Sequence, residues 1–243
     1  MKVHILKNEA AVALAVATRV TRLLAERPSA VLGLPTGNTP VRLYAELRRR
    51  HRLGKIDFSK ASTFNLDEFW GLPWTHPASY RAFMEEHLFQ HVNLAPRRIH
   101  FLNGMAKSAD AECAGYEAAI QRAGGLDLMI LGIGTNGHIG FNEPAASLTA
   151  DTHLARLAPA TRRSNAYLFD GRQGAVPPTA LSMGAGTILR SRAVILMATG
   201  ASKAGAVRAA VHGQVTSRMP ASLLQLHRDV ELVLDQAAAG GLR

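Results

Sequence analysis

The stretch Leu128-Met-Ile-Leu-Gly-Ile133, continued by Gly134-Thr-Asn-Gly-His138, decides the fold class of this chain. Its first part is apolar apart from one glycine, which is typical of a central parallel strand that is buried on both faces. The glycines that follow let the backbone turn sharply and come close to a ligand. Open parallel sheets bind ligands beyond the carboxyl ends of their strands. The stretch therefore predicts both the centre of a sheet and its binding edge.

Short apolar runs alternate with helical periodicity along the chain, which is typical of an α/β domain. The predicted strands are Val3–Leu6, Ala30–Leu34, Ser62–Asn65, Leu126–Ile133, Ala193–Thr199 and Val230–Leu234. The predicted helices are Glu9–Glu26, Pro40–Leu53, Ser79–His91, Ser108–Ala123, Ser202–Val211 and Ser222–Leu226. We therefore expect a single Rossmann-like domain over residues 1–243, with an open, mainly parallel sheet and helices on both faces.

The composition argues against several classes of protein. The net charge of +10 comes mainly from small, scattered arginine clusters without a nucleic-acid motif. It predicts a basic surface that attracts an anionic small molecule, with no nucleic-acid partner. No apolar stretch approaches the ~18 residues that a membrane span needs, so no membrane partner is expected. The single cysteine cannot form an internal disulfide, which favours a cytoplasmic location.

Four predicted strands are followed by chemically unusual loops, namely Gly33–Pro40, Asn65–Trp70, Gly132–Pro144 and Gly200–Lys203. The first loop is read as a tight turn in which Thr39 caps a helix that starts at Pro40. Its backbone N–H groups and hydroxyls could bind an anion, and Lys203 could add a point charge. Each loop alone could be an ordinary turn, so the convergence of four loops carries the prediction.

Asp67 and Glu68 directly follow the third predicted strand. Adjacent side chains at a strand end diverge, so only one of the two carboxylates is expected to face the cleft. A partly desolvated carboxylate there has a raised pKa and can act as a general base. The alternative is that either acid caps a helix or pairs with a surface arginine.

His138 lies in the glycine-rich loop, and Glu143 follows it five residues later. The imidazole titrates near neutrality, and the carboxylate could orient or charge it. A lone histidine is usually structural, but the density of glycines after a buried strand favours a catalytic one. No second His or Cys lies at ligand spacing, so neither a metal nor another cofactor is expected.

Taken together, these segments resemble the glucosamine-6-phosphate deaminase family. The matching motifs are Gly-Leu-Pro-Thr-Gly-x-Thr-Pro at 33–40, Phe-Asn-Leu-Asp-Glu at 64–68, His-Pro-x-Ser-Tyr at 76–80, Asn-Gly-His-Ile-Gly-Phe-Asn-Glu-Pro at 136–144, Val-Pro-x-x-Ala-Leu-Ser at 176–182, Lys203, and Leu-Gln-Leu-His at 224–227. They stand in the family's order and cover nearly the whole chain.

The resemblance implies the isomerising deamination of an amino-sugar phosphate, from glucosamine 6-phosphate and water to fructose 6-phosphate and ammonia. The implied catalytic residues are Asp67, Asn136, His138 and Glu143. The implied substrate-binding residues are Thr36, Gly37, Asn38, Thr39, Gly137 and Lys203. His138 would open the sugar ring with help from Glu143 and Asn136, and Asp67 would move a proton from C2 to C1.

The chain departs from the family pattern at three places. Asn136 stands where many members have Asp, and an amide cannot relay a proton, which shifts work to Glu143. Tyr167 stands where the family typically has a phosphate-binding arginine, so Arg162, Arg163 or Arg218 would have to compensate, or the substrate differs at that end. His153 and Ala155 replace an arginine and a lysine of allosterically activated members, which predicts no such activation and a monomer or small homo-oligomer.

Three alternatives stay open at this point. The chain could be a deaminase or isomerase for a different amino sugar, or a 6-phosphogluconolactonase with the same fold, although the glycine-rich motifs fit the latter less well. A non-catalytic sugar-phosphate sensor is the alternative from another class. The joint presence of Asp67, His138 and Glu143 favours catalysis over sensing.

Overall fold

A computed structural model describes residues 1–242, so the end of the predicted domain at residue 243 lies outside the described residues. The strands are β1 (Lys2–Leu6), β2 (Val31–Leu34), β3 (Ser62–Asn65), β4 (Asp67–Phe69), β5 (Ile99–His100), β6 (Leu128–Leu131), β7 (His153–Arg156), β8 (Thr179–Ser182), β9 (Ala193–Ala198) and β10 (Val230–Asp235). The α-helices are α1 (Glu9–Glu26), α2 (Val41–Arg52), α3 (Tyr80–His87), α4 (Ala109–Arg122), α5 (Pro159–Asn165), α6 (Ala185–Leu189) and α7 (Ala204–His212).

Seven strands form the main sheet in the order β1-β10-β9-β6-β2-β3-β5, and all its pairings are parallel. Strand β6 lies at its centre, and its side chains alternate between two apolar clusters. Leu128 and Ile130 pack on the side of α1 and α2, and Met129 and Leu131 pack on the side of α4 and α7. Helices thus cover both faces, and the predicted fold class is confirmed.

A second, antiparallel sheet in the order β4-β8-β7 was not predicted from the sequence. Strand β4 follows β3 after one residue, Leu66, and pairs with β8 so that Asp67 lies opposite Ser182. Each of these strands has only three or four residues of mixed polarity, which is too short for a clear alternating pattern. This small sheet holds Asp67 beside the carboxyl end of β3.

All six predicted strands of the main sheet are present, but several predicted helices differ. Helix α2 starts at Val41 after Pro40, and Thr39 makes no capping hydrogen bond, so the predicted Thr39 cap is wrong. The backbone N–H of Val41 bonds to the carbonyl of Asn38 instead, so the loop continues past Thr39. The predicted helix Ser222–Leu226 is a 3-10 helix over Pro220–Leu226. No helix within residues 1–242 combines the length and apolar character needed to cross a bilayer.

Candidate active site

A cavity of about 390 Å³ opens at the carboxyl ends of the central strands. All four of the unusual loops predicted from the sequence contribute to its walls. The residues that line it include Thr36, Gly37, Asn38, Thr39, Asp67, Asn136, His138, Tyr167 and Lys203. Its volume lies in the range of small-molecule sites, and a hexose phosphate is a ligand of that size.

Asp67 and Glu68 point in different directions, as expected for neighbours on a strand. Asp67 lines the cavity although only 6% of its surface is exposed. Burial raises the pKa of Asp67 to about 8, and the nearby charge of Glu68 adds to the shift. Once ionised, this carboxylate is a stronger base than an exposed aspartate, which suits the removal of a carbon-bound proton.

Glu68 is a helix cap, the alternative that the sequence left open for either acid. Its carboxylate accepts hydrogen bonds from the backbone N–H groups of Phe69 at 2.8 Å, Tyr80 at 3.0 Å and Arg81 at 2.9 Å. The last two N–H groups lie at the start of α3, where they have no partner within the helix. Burial raises the pKa of Glu68 to about 7, and these backbone bonds oppose the shift. Glu68 therefore fixes α3 against β4.

His138, Asn136 and Glu143 form one hydrogen-bonded chain. The Asn136 amide nitrogen donates to Glu143 Oε2 at 2.9 Å, and its Oδ1 lies 2.7 Å from His138 Nδ1. The backbone N–H of His138 also donates to Oδ1, at 3.3 Å. Glu143 does not line the cavity, and its other oxygen accepts from the backbone N–H of Ala158 at 3.3 Å. Glu143 therefore acts behind His138, at the start of α5.

The hydrogen bonds among Glu143, Asn136 and His138 determine which ring nitrogen of His138 carries the proton. A carboxylate only accepts hydrogen bonds, so the amide nitrogen of Asn136 must face Glu143 and its oxygen must face the ring. Nδ1 then has to be the donor, and Nε2 is left with a free lone pair. Burial lowers the pKa of His138. The negative charge of Glu143 opposes this shift and the positive charge of Lys203 adds to it, so the ring is held neutral. A neutral imidazole with a free Nε2 can accept a proton and later return it.

The loop between β2 and α2 also lines the cavity, with residues Thr36, Gly37, Asn38 and Thr39. Gly37 has a φ of 93°, a conformation that favours glycine, so the turn depends on it. Lys203 lies at the end of the 3-10 helix Ala201–Lys203 and lines the same cavity. Burial lowers the pKa of Lys203, which indicates an ammonium partly withdrawn from water. The wall combines hydroxyls with one cation, a set of groups that suits an oxyanion.

Known proteins that resemble this chain belong to a family of sugar-phosphate enzymes. The sequence matches, over residues 7–234, the family described as glucosamine-6-phosphate isomerases/6-phosphogluconolactonase. The chain belongs to this family. Its relatives include a glucosamine-6-phosphate deaminase of Halothermothrix orenii, 49% identical over 88% of each chain. Another is glucosamine-6-phosphate deaminase 2 of Giardia intestinalis, 49% identical over 93% of this chain and 86% of the relative.

A solved structure described as a monomeric glucosamine-6-phosphate deaminase is also similar, with a TM-score of 0.96 at 40% identity, covering 99% of this chain and 100% of that one. A 6-phosphogluconolactonase from Trypanosoma cruzi has a TM-score of 0.80 at 17% identity, covering 99% and 96%, and shares the fold. The resemblance inferred from the sequence motifs to the deaminases of this family is thereby confirmed.

Not every predicted site residue lies in the cavity of this family member. Gly137 is absent from the cavity wall, where Gly134, Asn136 and His138 are found. It has a φ of 86°, and a Cβ atom there would lie 2.0 Å from the sulfur of Met219. Gly137 thus has a role in the turn, where the backbone packs tightly against the Met219 side chain, and its contact with substrate stays a prediction.

None of the arginines considered as substitutes at position 167 reaches the cavity. Tyr167 itself lines it, on a 3-10 turn over Ala166–Phe169. Arg162 donates from Nε and Nη2 to the carbonyl of Val176, at 3.1 and 2.9 Å, so its guanidinium holds the β7–β8 segment (residues 157–178) together. Arg163 and Arg218 are exposed and do not contribute to the wall.

The cavity also contains residues that the sequence reasoning did not select. Tyr80 and Asn165 both line it, and the Tyr80 hydroxyl donates to Asn165 Oδ1 at 2.8 Å, joining α3 to the end of α5. Tyr80 lies in the motif at 76–80, which was the available signal. Glu9, at the start of α1, also lines the cavity, and no motif indicated it. Within residues 1–242 no group of three or more His, Cys, Asp or Glu side chains is placed to hold a metal ion.

Proposed function

We propose that this protein catalyses the isomerising deamination of glucosamine 6-phosphate to fructose 6-phosphate and ammonia. One observation carries the proposal, namely that Asp67 and His138 face the same cavity with different properties. Asp67 is a carboxylate of raised pKa, and His138 is a neutral imidazole with a free Nε2. The reaction needs both kinds of group, one for a carbon-bound proton and one for protons on oxygen. Relatives named glucosamine-6-phosphate deaminase support it.

His138 opens the sugar ring. Its Nε2 takes the proton of the C1 hydroxyl and delivers it to the ring oxygen, which gives the open-chain aldehyde. Asn136 and Glu143 hold the His138 imidazole in place and stabilise the imidazolium that forms between the two proton transfers. Since an amide carries no transferable proton here, Glu143 supplies the negative charge, and its Oε2 lies 3.6 Å from His138 Nδ1.

Asp67 moves the carbon-bound proton. The carboxylate removes the proton from C2 while the aldehyde oxygen takes up a proton from the substrate's ammonium, which gives an enolamine. Asp67 then returns its proton to C1, which leaves an iminium at C2, the ketose oxidation level. Addition of water at C2 and loss of ammonia then give fructose 6-phosphate. The substrate's own ammonium, attached to C2, favours ionisation of Asp67 despite the pKa of about 8 in the free protein.

The phosphate lies against Thr36, Gly37, Asn38 and Thr39, with Lys203 as its cation. Backbone N–H groups, hydroxyls and an ammonium together suit an oxyanion. The loop, Lys203, Asp67 and His138 all line the same cavity, so one substrate molecule can contact all of them. Water is consumed in the release of ammonia, so the proposal describes a hydrolytic deamination without a cofactor.

The proposed assembly is a monomer that works in the cytoplasm as one catalytic domain. A relative with 40% identity and a TM-score of 0.96 is described as monomeric. The cavity is formed from this chain alone, so a single copy contains every proposed catalytic group. Light scattering of the purified protein should give the mass of one chain, and a dimer or hexamer would contradict the proposed assembly.

Ammonia release tests the function directly. The purified protein is incubated with glucosamine 6-phosphate and, separately, with glucosamine, and ammonia and fructose 6-phosphate are measured. Turnover of the phosphorylated sugar with little turnover of glucosamine is the expected result. Absence of ammonia from both would contradict the proposal and favour a sugar-phosphate sensor. Comparable efficiency with glucosamine would instead indicate a substrate without phosphate.

A further inference from the structure

An acidic side chain lies where the proposed substrate brings a phosphate. Glu9 lines the same cavity as the loop Thr36–Thr39. A phosphate monoester is close to doubly negative at pH 7, because its second pKa is about 6. Lys203 is the one lysine or arginine that lines the cavity within residues 1–242. One ammonium facing two phosphate charges and one carboxylate leaves this end of the cavity short of positive charge.

A second cation, Arg42, lies directly beside Glu9. Arg42 Nη2 is 2.7 Å from Glu9 Oε1. Arg42 is the second residue of α2, which starts directly after the Thr36–Thr39 loop. Helical side chains point towards the N-terminus of their helix, so the guanidinium is directed back towards that loop. Arg42 itself does not line the cavity, but its guanidinium is paired with an acid that does.

Helix α2 gains nothing from an arginine at this place. The N-terminal end of a helix carries a partial positive charge, and a cation in its first turn is unfavourable. The first turn of α2 also contains no acidic residue that would compensate. The ion pair between Arg42 and Glu9 is weak, because both side chains are largely exposed, Arg42 to 59% and Glu9 to 51%. An anion of higher charge can therefore replace Glu9 as the partner of Arg42 with little loss of stability.

We propose that Arg42 is a specificity-determining residue that leaves Glu9 and binds the substrate phosphate together with Lys203. The inference rests on the proposed function for the identity of the substrate, but the anion site can be tested without turnover. Glu9 keeps the guanidinium in position while the cavity is empty. Arg42 then selects phosphorylated over unphosphorylated amino sugars by a charge-assisted hydrogen bond.

The first test replaces Arg42→Gln and compares it with Arg49→Gln. Arg49 is a matched control, because it lies on the same helix in an exposed ion pair with Glu46, at 2.7 Å, and does not line the cavity. The Arg42 variant should raise KM for glucosamine 6-phosphate about 10-fold, the low end for a charge-assisted bond. Its kcat should stay within about twofold, because the Thr36–Thr39 loop and Lys203 still hold the phosphate in the variant. An unchanged KM would overturn the inference.

A double variant separates phosphate binding from simple neutralisation of Glu9. If Arg42 only cancels the charge of Glu9, then the combined Glu9→Gln and Arg42→Gln variant should recover the KM of the original protein. If Arg42 binds phosphate, the double variant should keep a KM several-fold above the Glu9→Gln variant alone. Equal KM values for the double variant and the Glu9→Gln variant would refute the proposed contact.

Binding of inorganic phosphate, measured by calorimetry, is independent of catalysis. Its affinity should fall about 10-fold in the Arg42→Gln variant and stay unchanged in the Arg49→Gln variant. If the protein releases no ammonia but shows this difference, the proposed function fails and the phosphate site stands. If ammonia is released and phosphate affinity does not depend on Arg42, this inference alone fails.

Discussion

The Oδ1 atom of Asn136 lies 2.7 Å from Nδ1 of His138, and this contact assigns the proton of the ring. The same oxygen accepts the backbone N–H of His138 at 3.3 Å, so two donors of one residue fix the orientation of the amide. The side chain at position 136 therefore holds the imidazole with Nε2 free. It does so as a neutral group, while Glu143 Oε2 lies 3.6 Å from the same Nδ1 and supplies the negative charge.

Replacing Asn136→Asp should raise the pKa of His138. A carboxylate at this distance favours the imidazolium, and shifts of about one unit or more are typical of such pairs. The new acid would also lie beside Glu143, so the two carboxylates share a proton at low pH. Titration of the His138 ring by NMR measures the change, with His153 on β7 as internal control. An unchanged midpoint would show that position 136 does not set the ring's charge.

The Asp67→Asn variant should lose turnover and keep binding. An amide cannot remove the C2 proton, so kcat should fall at least ~100-fold. The Kd for fructose 6-phosphate should change little, because the variant has nearly the same shape. Asp110→Asn, on the exposed side of α4, serves as the control. Turnover close to normal in the Asp67 variant would remove this residue from the mechanism.

The same variant should gain stability relative to the original protein as the pH rises. The pKa of Asp67 is raised to about 8 in the folded protein, whereas an unfolded aspartate has a pKa of about 3.9. Between these values the folded state holds a proton that the unfolded state has lost, so folding weakens by up to about 1.4 kcal/mol per pH unit. The amide that replaces the carboxyl group does not ionise. Thermal unfolding should give similar Tm values at pH 4 and a higher Tm for the variant at pH 8, and a constant difference would contradict the raised pKa.

Gly134→Ala should impair catalysis by displacing the imidazole ring of His138. A Cβ atom at this position would lie 2.3 Å from Cε1 of His138, so the imidazole has to move. We expect kcat to fall ~10-fold or more while the fold persists, because misplacing a catalytic group by about 1 Å has effects of that size. Gly115→Ala adds the same atom in open space and should leave kcat unchanged. Equal activity of both variants would refute the ring's proposed position.

Tyr167→Arg should tighten binding of the phosphorylated substrate. Tyr167 lines the cavity, and a guanidinium there would add a charge-assisted bond. KM for glucosamine 6-phosphate should fall by up to ~10-fold, and less if Arg42 already provides much of the charge. Steady-state kinetics at two salt concentrations would show whether the gain is electrostatic. A KM that does not change would show that position 167 lies away from the phosphate.

The sequence predicts the main sheet and the four loops because these depend on local pattern. Buried strands such as β6 are continuous apolar runs, and the carboxyl ends of parallel strands meet at one edge. The small sheet and the packing around Gly137 depend instead on distant parts of the chain. Asp67 is positioned by pairing opposite Ser182, and Gly137 is confined by Met219. Local periodicity carries no information about such partners.

Glu143 binds both Asn136 and the backbone N–H of Ala158, and this double contact has a consequence for how substrates are ranked. Helix α5 starts directly after Ala158 and leads to the turn that carries Tyr167. A ligand that pulls on this wall therefore also adjusts the carboxylate behind His138. An amino sugar that lacks the distal group would react slowly even when it saturates the enzyme, because part of the binding energy is used to align the ring-opening group.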